Sequence, residues 1–204
     1  MKTVSFTQMK DGTKEDYLLL QELEKPFIAM TADRIMRELA HQADDTLSGY
    51  QVTRLQHALQ AATRAMRDGA DEDWICAALL HDIGDGLAPQ NHDRFAAEIL
   101  RPFLREECVW VVEHHAAFQL VYYAHHYGWD QHERDKYRDN IYFQSCVDFC
   151  ERWDQSSFDP DYRNEPLSFF EPHVHRLFAR KPYDLTIMQP GVVKGLPAVR
   201  QAAE

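Results

Sequence analysis

The chain has 204 residues, and its 33 acidic side chains outnumber 22 basic ones for a net charge of −11. That balance leaves no basic face for a nucleic-acid backbone. Hydrophobic residues make up 45% of it, enough for a real core, and the length fits one domain of roughly 100–200 residues. No uncharged apolar run approaches the ~18 residues needed to span a membrane. The opening MKTVSFTQMKDGTKEDY lacks the apolar stretch of a signal peptide. Cys76, Cys108, Cys146 and Cys150 show no zinc-ribbon spacing. They read as reduced core residues of a cytoplasmic protein.

In chain order, residues 15–40 predict one or two helices, divided near Pro26 and Thr31. HQADDTLSG reads as a polar loop. Val52, Leu55, Leu59, Ala62 and Met66 recur at helical spacing up to Gly69. Asp71 caps the next helix, whose apolar face is Trp74, Ile75, Ala78 and Leu79 and which stops at Gly84 and Gly86. Further helices are predicted over 93–104, from Glu106 into VYYAHHYG, and over 142–153. The C-terminal third is proline-rich and less periodic, and QPGVVKGLPAVRQAAE reads as a surface tail or a packing arm. The fold class is all-α, with no repeat and no convincing strand.

Five polar segments interrupt this apolar pattern: RLQHAL with His57, LLHDIGD with His81 and Asp82, QNHDRF with His92, VEHHAAF with His114 and His115, and ERWDQS with Asp154. Phe143, Val147, Cys150 and Asp154 are spaced four, three and four apart, so three apolar residues direct a carboxylate inward. A buried carboxylate must be paired, hydrogen-bonded or metal-bound. Cys108, Val111, Val112 and His115 share one face, which favours His115 over His114. His57 lies opposite the Leu55, Leu59 and Ala62 face, with Tyr50 and Arg54. Either that side is wet, or the helix is enclosed on both sides and lines a cavity. A lone histidine on an apolar face is ordinarily a satisfied core residue, so the argument rests on the ordered set.

That set resembles the HD superfamily, named for its adjacent His and Asp, from about Tyr50 to Asp154. RLQHALQAATRAMRDGADEDWICAALLHDIGD is similar to its first-ligand helix followed by its HD helix. The added histidines and the late Asp resemble the two-metal branch that contains myo-inositol oxygenase and the phosphonate-cleaving oxygenases. The resemblance implies a compact helical bundle over residues 1–204 with its core at about 50–155. It implies one metal held by His57, His81, Asp82 and Asp154, and a second by His92 and His115, with Asp82 bridging. A mixed nitrogen and oxygen shell suits iron, the expected metal, as well as manganese, cobalt or zinc.

Where the phosphonate-cleaving relatives have basic residues for their substrate, this chain has Asp85, Gln119 and Glu151, and Leu47 and Tyr50 stand at two further positions before the first ligand helix. Two acids and an amide are a poor cradle for a dianion. The expected substrate is therefore a small polyol or an amine-bearing molecule rather than a simple phosphonate. Tyr50, Arg54, Asp85, Gln119 and Glu151 would contact it. Tyr50 and Asp85 are the candidate catalytic groups, with Tyr50 gating an open metal position or bonding the substrate. Either acid could instead close an internal ion pair, for example with Arg54 or Arg152. Three functions fit: an oxygenase using O₂, a metal-dependent phosphohydrolase with Arg54, Arg94 and Arg152 as phosphate contacts, or a metal-binding helical domain without catalysis. His125 and His126 read as surface or core residues, since no spacing ties them to the metal set.

Overall fold

The computed structural model describes residues 2–44 and 49–198. Leu47 lies outside the described residues. Among those described the chain is helical and contains no strand.

Helix α1 (Lys14–Ala29) starts at a capping box in which Thr13 Oγ1 accepts from the Asp16 amide and the Asp16 carboxylate accepts from the Thr13 amide. It runs through Pro26 and ends at Met30, where α2 (Thr31–His41) begins. The division therefore falls at Met30 alone. Residues 21–30 are exposed, so water can bond the carbonyl that Pro26 leaves without an amide partner. Helix α3 (Arg54–Asp68) opens on a second capping box, Thr53 with Gln56, and stops at Gly69, whose φ of 85° suits the left-handed turn there. After a short turn, the Asp71 carboxylate accepts from the Trp74 amide and starts α4 (Glu72–Leu80). Helix α5 (His92–Leu100) is shorter than predicted, and Leu104 joins the core from the turn that follows.

Helix α6 (Glu106–Tyr127) ends at Gly128, φ 72°. Within the predicted polar loop, Glu133–Tyr137 form a 3₁₀ turn. Helix α7 (Phe143–Phe149) passes into a π turn at Cys150–Asp154. Helix α8 (Leu167–Phe178) occupies a region where the sequence reading has no helix. Its signal was present: Leu167, Phe170, Val174 and Leu177 are spaced three, four and three, and the last three are wholly buried. The prolines around it, and Pro172 inside it, mask that period. A short α9 (Leu185–Met188) follows.

Small residues decide how closely the central pair approaches. Ala58, Ala61, Ala62 and Ala65 of α3 and Ala77 and Ala78 of α4 are all buried, and the two helices pack along their length. Helix α5 packs along α6, α6 along α7, and α8 covers α2 and α4. The stretch from His57 to Thr63 is buried without interruption, so α3 is enclosed on both sides and the wet-face alternative for His57 falls away. All four cysteines are buried and unpaired, and burial pushes the thiols of Cys76, Cys108 and Cys150 up. In the C-terminal stretch residues 189–198 act as a packing arm, and 199–204 lie outside the described residues. Gly195 O accepts from Trp74 Nε1 at 2.9 Å, and Pro197 O from Arg152 Nη1 at 2.7 Å. No helix among the described residues is long and apolar enough to cross a membrane.

Candidate metal centre

Six side chains from separate elements converge. His57 comes from the first turn of α3, and His81 and Asp82 follow the end of α4. His92 opens α5, His115 sits midway along α6, and Asp154 ends the π turn. The middle of the cluster is Asp82. Its Oδ2 lies 3.5 Å from His57 Nε2 and 3.5 Å from His81 Nε2. Its Oδ1 lies 3.3 Å from His92 Nε2 and 3.2 Å from His115 Nε2. Asp154 Oδ1 completes the first half, 3.3 Å from His57 Nε2 and 3.6 Å from His81 Nε2.

The backbone fixes how each ring presents itself. Nδ1 of His57 faces Ser157 O at 3.1 Å, His81 faces Ala78 O at 2.9 Å, His92 faces Pro89 O at 3.4 Å, and His115 faces Val112 O at 2.7 Å. A carbonyl only accepts, so each Nδ1 carries the proton and donates, and a neutral ring turns its Nε2 lone pair inward. This is the arrangement that orients imidazole ligands on a metal. With both rings neutral it also sets the Nε2 lone pairs of His57 and His81 3.1 Å apart, a contact that a shared proton or a cation relieves. Asp154 Oδ2 is buried and has no hydrogen-bond partner. Facing lone pairs and an orphaned carboxylate oxygen are both relieved by a cation, so the donor set fits a metal. His57, His81 and Asp154, and His81, Asp82 and His115, have donor atoms close enough to hold one.

Proton affinities within the cluster point the same way. Burial pulls the His115 imidazole down, but the hydrogen bond and charge of Asp82 override it and lift the group to about 10. Burial likewise opposes charge on His57, and Asp154 and Asp82 together raise it above its ordinary value. Burial lowers His92, helped by the neighbouring His115. Both carboxylates resist burial and lie below the usual range because imidazoles surround them, His81 foremost. Without a metal, protons take the place of positive charge.

The halves differ in access. The side chains of His57, His81, His115 and Asp154 are at most 6% exposed, while Asp82 is 16% and His92 21% exposed. The His92 edge therefore opens to solvent.

Other sequence candidates lie around this centre or away from it. Asp85 forms an ion pair with Arg54, and its Oδ1 lies 3.4 Å from His92 Nδ1; the internal-pair alternative is the arrangement found. Tyr50 is largely exposed and stacks on Phe158, centroids 5.3 Å apart, which stacks in turn on His57 at 4.5 Å. Gln119, one turn beyond His115, has a buried amide nitrogen without a partner. Glu151 is exposed on the π turn, and Arg152 pairs with Asp68 at 2.6 Å. Arg94 lies on a surface hollow with Asn91, Phe95, Glu98 and Ile99. His114 turns away to stack on Trp110 at 4.2 Å, and His125 and His126 are exposed at the end of α6. Gln42, whose Nε2 donates to Asp82 O at 3.0 Å, escaped the sequence reading; the Ser157 carbonyl and Phe158, which covers His57, belong to SFDP at 157–160, a stretch that the sequence already places near the site. Gln42 is 40 residues from Asp82 and gave no local signal.

Residues 54–143 match the family model described as HD domain, and the helices of that stretch carry most of the imidazoles and carboxylates that could hold a metal. Over 87 residues the chain is 33% identical to a protein of Leisingera caerulea named [1-hydroxy-2-(trimethylamino)ethyl]phosphonate dioxygenase (glycine-betaine-forming). That match covers 37% of this chain and 44% of the relative, so the chain spans less than half the length of the curated relative it matches.

Proposed function

We propose that the protein is a two-metal oxygenase that oxidatively cleaves a small hydroxylated substrate bearing an amine. The observation that carries this reading is the division of Asp82, whose two oxygens face two different pairs of imidazoles. Two irons held there would supply the redox chemistry, activating O₂ for attack at the carbon that bears the substrate hydroxyl. The chain's own groups bind and orient. The His92 edge, being the more exposed, admits the substrate. The unpartnered Gln119 amide donates to a substrate oxygen. Tyr50 and Phe158 shield His57 from water and offer ring faces to a cationic amine. Asp85, held by Arg54, orients His92, and it meets the substrate only where that ion pair opens. Glu151 adds negative charge on the side of the π turn. The name of the Leisingera relative, a dioxygenase acting on a hydroxylated trimethylamino compound, supports the same reaction class.

A phosphohydrolase would use the same ligands but needs free cations for phosphate. Arg54 is engaged by Asp85 and Arg152 by Asp68, which counts against it. Metal analysis of protein purified without oxygen separates the two readings. The oxygenase reading expects two irons per chain and a coupled mixed-valent signal on partial oxidation. Zinc or manganese with turnover of a generic phosphodiester would replace it. His57→Ala and Asp154→Ala should each release the first ion, and His92→Ala the second. Equal retention of both ions in all three variants would reject the ligand assignment.

A further inference from the structure

The regular ladder of α7 ends at Phe149, and in the next turn the Gln155 amide reaches back to Cys150 O at 3.0 Å. Such π turns are rare and concentrate at functional sites. This one delivers Asp154, so its outward hold sets the reach of that carboxylate. Asp68, the last residue of α3, supplies the hold. One of its oxygens, Oδ2, accepts from Trp153 Nε1 at 2.8 Å and from Arg152 Nη2 at 2.6 Å. The Trp153 ring is wholly buried against Trp74 and Phe149, centroids 5.9 and 5.8 Å away. Its apolar body is fixed by the core and its polar tip by Asp68.

The same segment then turns back toward α3. Ser157 Oγ donates to Trp153 O, and Ser157 O accepts from His57 Nδ1 at 3.1 Å. His57 and Asp68 thus grip the two ends of one segment from one helix, ~16 Å apart along its axis at about 1.5 Å per residue. We infer that Asp68 is a positioning residue for the first half of the metal centre: by clamping Trp153 and Arg152 against α3, it sets the spacing between Asp154 and His57. The His92 and His115 half, carried by α5 and α6, meets the π turn at its first residue, where Cys150 Sγ donates to His115 O at 3.7 Å, and makes no hydrogen bond to Asp68, Arg152 or Trp153 among the described residues.

This inference rests on the two-metal reading, and the experiment separates their failures. Anaerobic Fe²⁺ titration is carried out on His92→Ala, which retains the first half, and on His57→Ala, which retains the second. Adding Asp68→Ala should weaken iron binding about tenfold or more in the first background and leave the second within about twofold. Asp68→Asn, which still accepts from Trp153, should recover most of the loss. Should Asp68→Ala not fold, Arg152→Gln tests the outer end of the same clamp. Equal weakening in both backgrounds, or a lowered thermal midpoint with both affinities unchanged, would overturn the role of Asp68. Wild-type protein that takes up no iron would remove the two-metal reading and this inference together.

Discussion

Asp82 and the four imidazoles around it set a pH dependence that can be signed. His115 is raised to about 10 in the metal-free chain, against an unfolded value of ~6.5. Its stabilising contribution is therefore complete below ~6.5 and fades as the pH rises toward 10. Asp82 and Asp154 are lowered, so their contribution is present above the unfolded value of ~3.9 and is lost as the pH falls below it. Urea denaturation of the metal-free chain should accordingly show the contributions of His115, Asp82 and Asp154 together between pH ~4 and ~6.5, with His92, which burial lowers, working against them on the acid side of ~6.5. Metal uptake should run the other way at the alkaline side: binding displaces the His115 proton, so affinity should rise about tenfold per pH unit for each proton released. An affinity that is flat from pH 6.5 to 9 would contradict the arrangement. At this scale His115 and Asp154 were legible because they stood out on apolar stripes, and His57, His81, Asp82 and His92 through the resemblance of their ordered set to the HD superfamily. For Asp85 the sequence left substrate contact and an ion pair with Arg54 both open, since Arg54 and His92 reach it only after three elements have packed.

The turn after α4 shows what an element must do to bring its residues to work. Gly84 sits where a side chain has no room: a Cβ there would lie 2.8 Å from Phe95 Cδ1 and 3.0 Å from His92 O. The turn carrying Asp82 is thus pressed directly on the start of α5. Gly84→Ala should force the two apart, costing ~1–3 kcal/mol of stability and selectively weakening the second metal ion. Thermal melts combined with iron titration would check both, and a variant as stable and as tight as wild type would refute the close approach. Helix bounds were readable at Gly69 as a stop and Asp71 as a cap, because capping is local chemistry; Thr13, Thr53 and Gly128 do the same in the structure and went unread. The π turn was not readable. Phe143, Val147, Cys150 and Asp154 fit a regular α-helical stripe equally well, and the partners that hold the widened turn, Asp68 on Trp153 and His57 on Ser157, come from α3, far away in sequence.

Across the molecule, Glu107 closes the bundle against the C-terminal arm. Its carboxylate is wholly buried and accepts from Ser145 Oγ at 2.7 Å, Lys194 N at 3.1 Å, Gly195 N at 2.8 Å and Arg105 Nε at 3.4 Å. Glu107→Ala strands those donors and should destabilise the protein by ~3–5 kcal/mol, measured by chemical denaturation, with the arm becoming protease-sensitive before the bundle. A loss under ~1 kcal/mol would mean that water satisfies the donors instead. The sequence by itself determined an all-helical chain with an HD-type stretch, because periodicity, caps and motif spacing are written locally, and its resemblance to the HD superfamily pointed to the candidate histidine and aspartate donors. Only the tertiary structure decided that His57 is enclosed, that His114 turns away, that Asp85 is bound to Arg54, and that the C-terminal stretch is an arm. Those outcomes depend on which surfaces meet. The meeting of α3 and α4 across their alanines, or of Glu107 with residues 194–195, is a packing event between distant parts of the chain that no local pattern encodes.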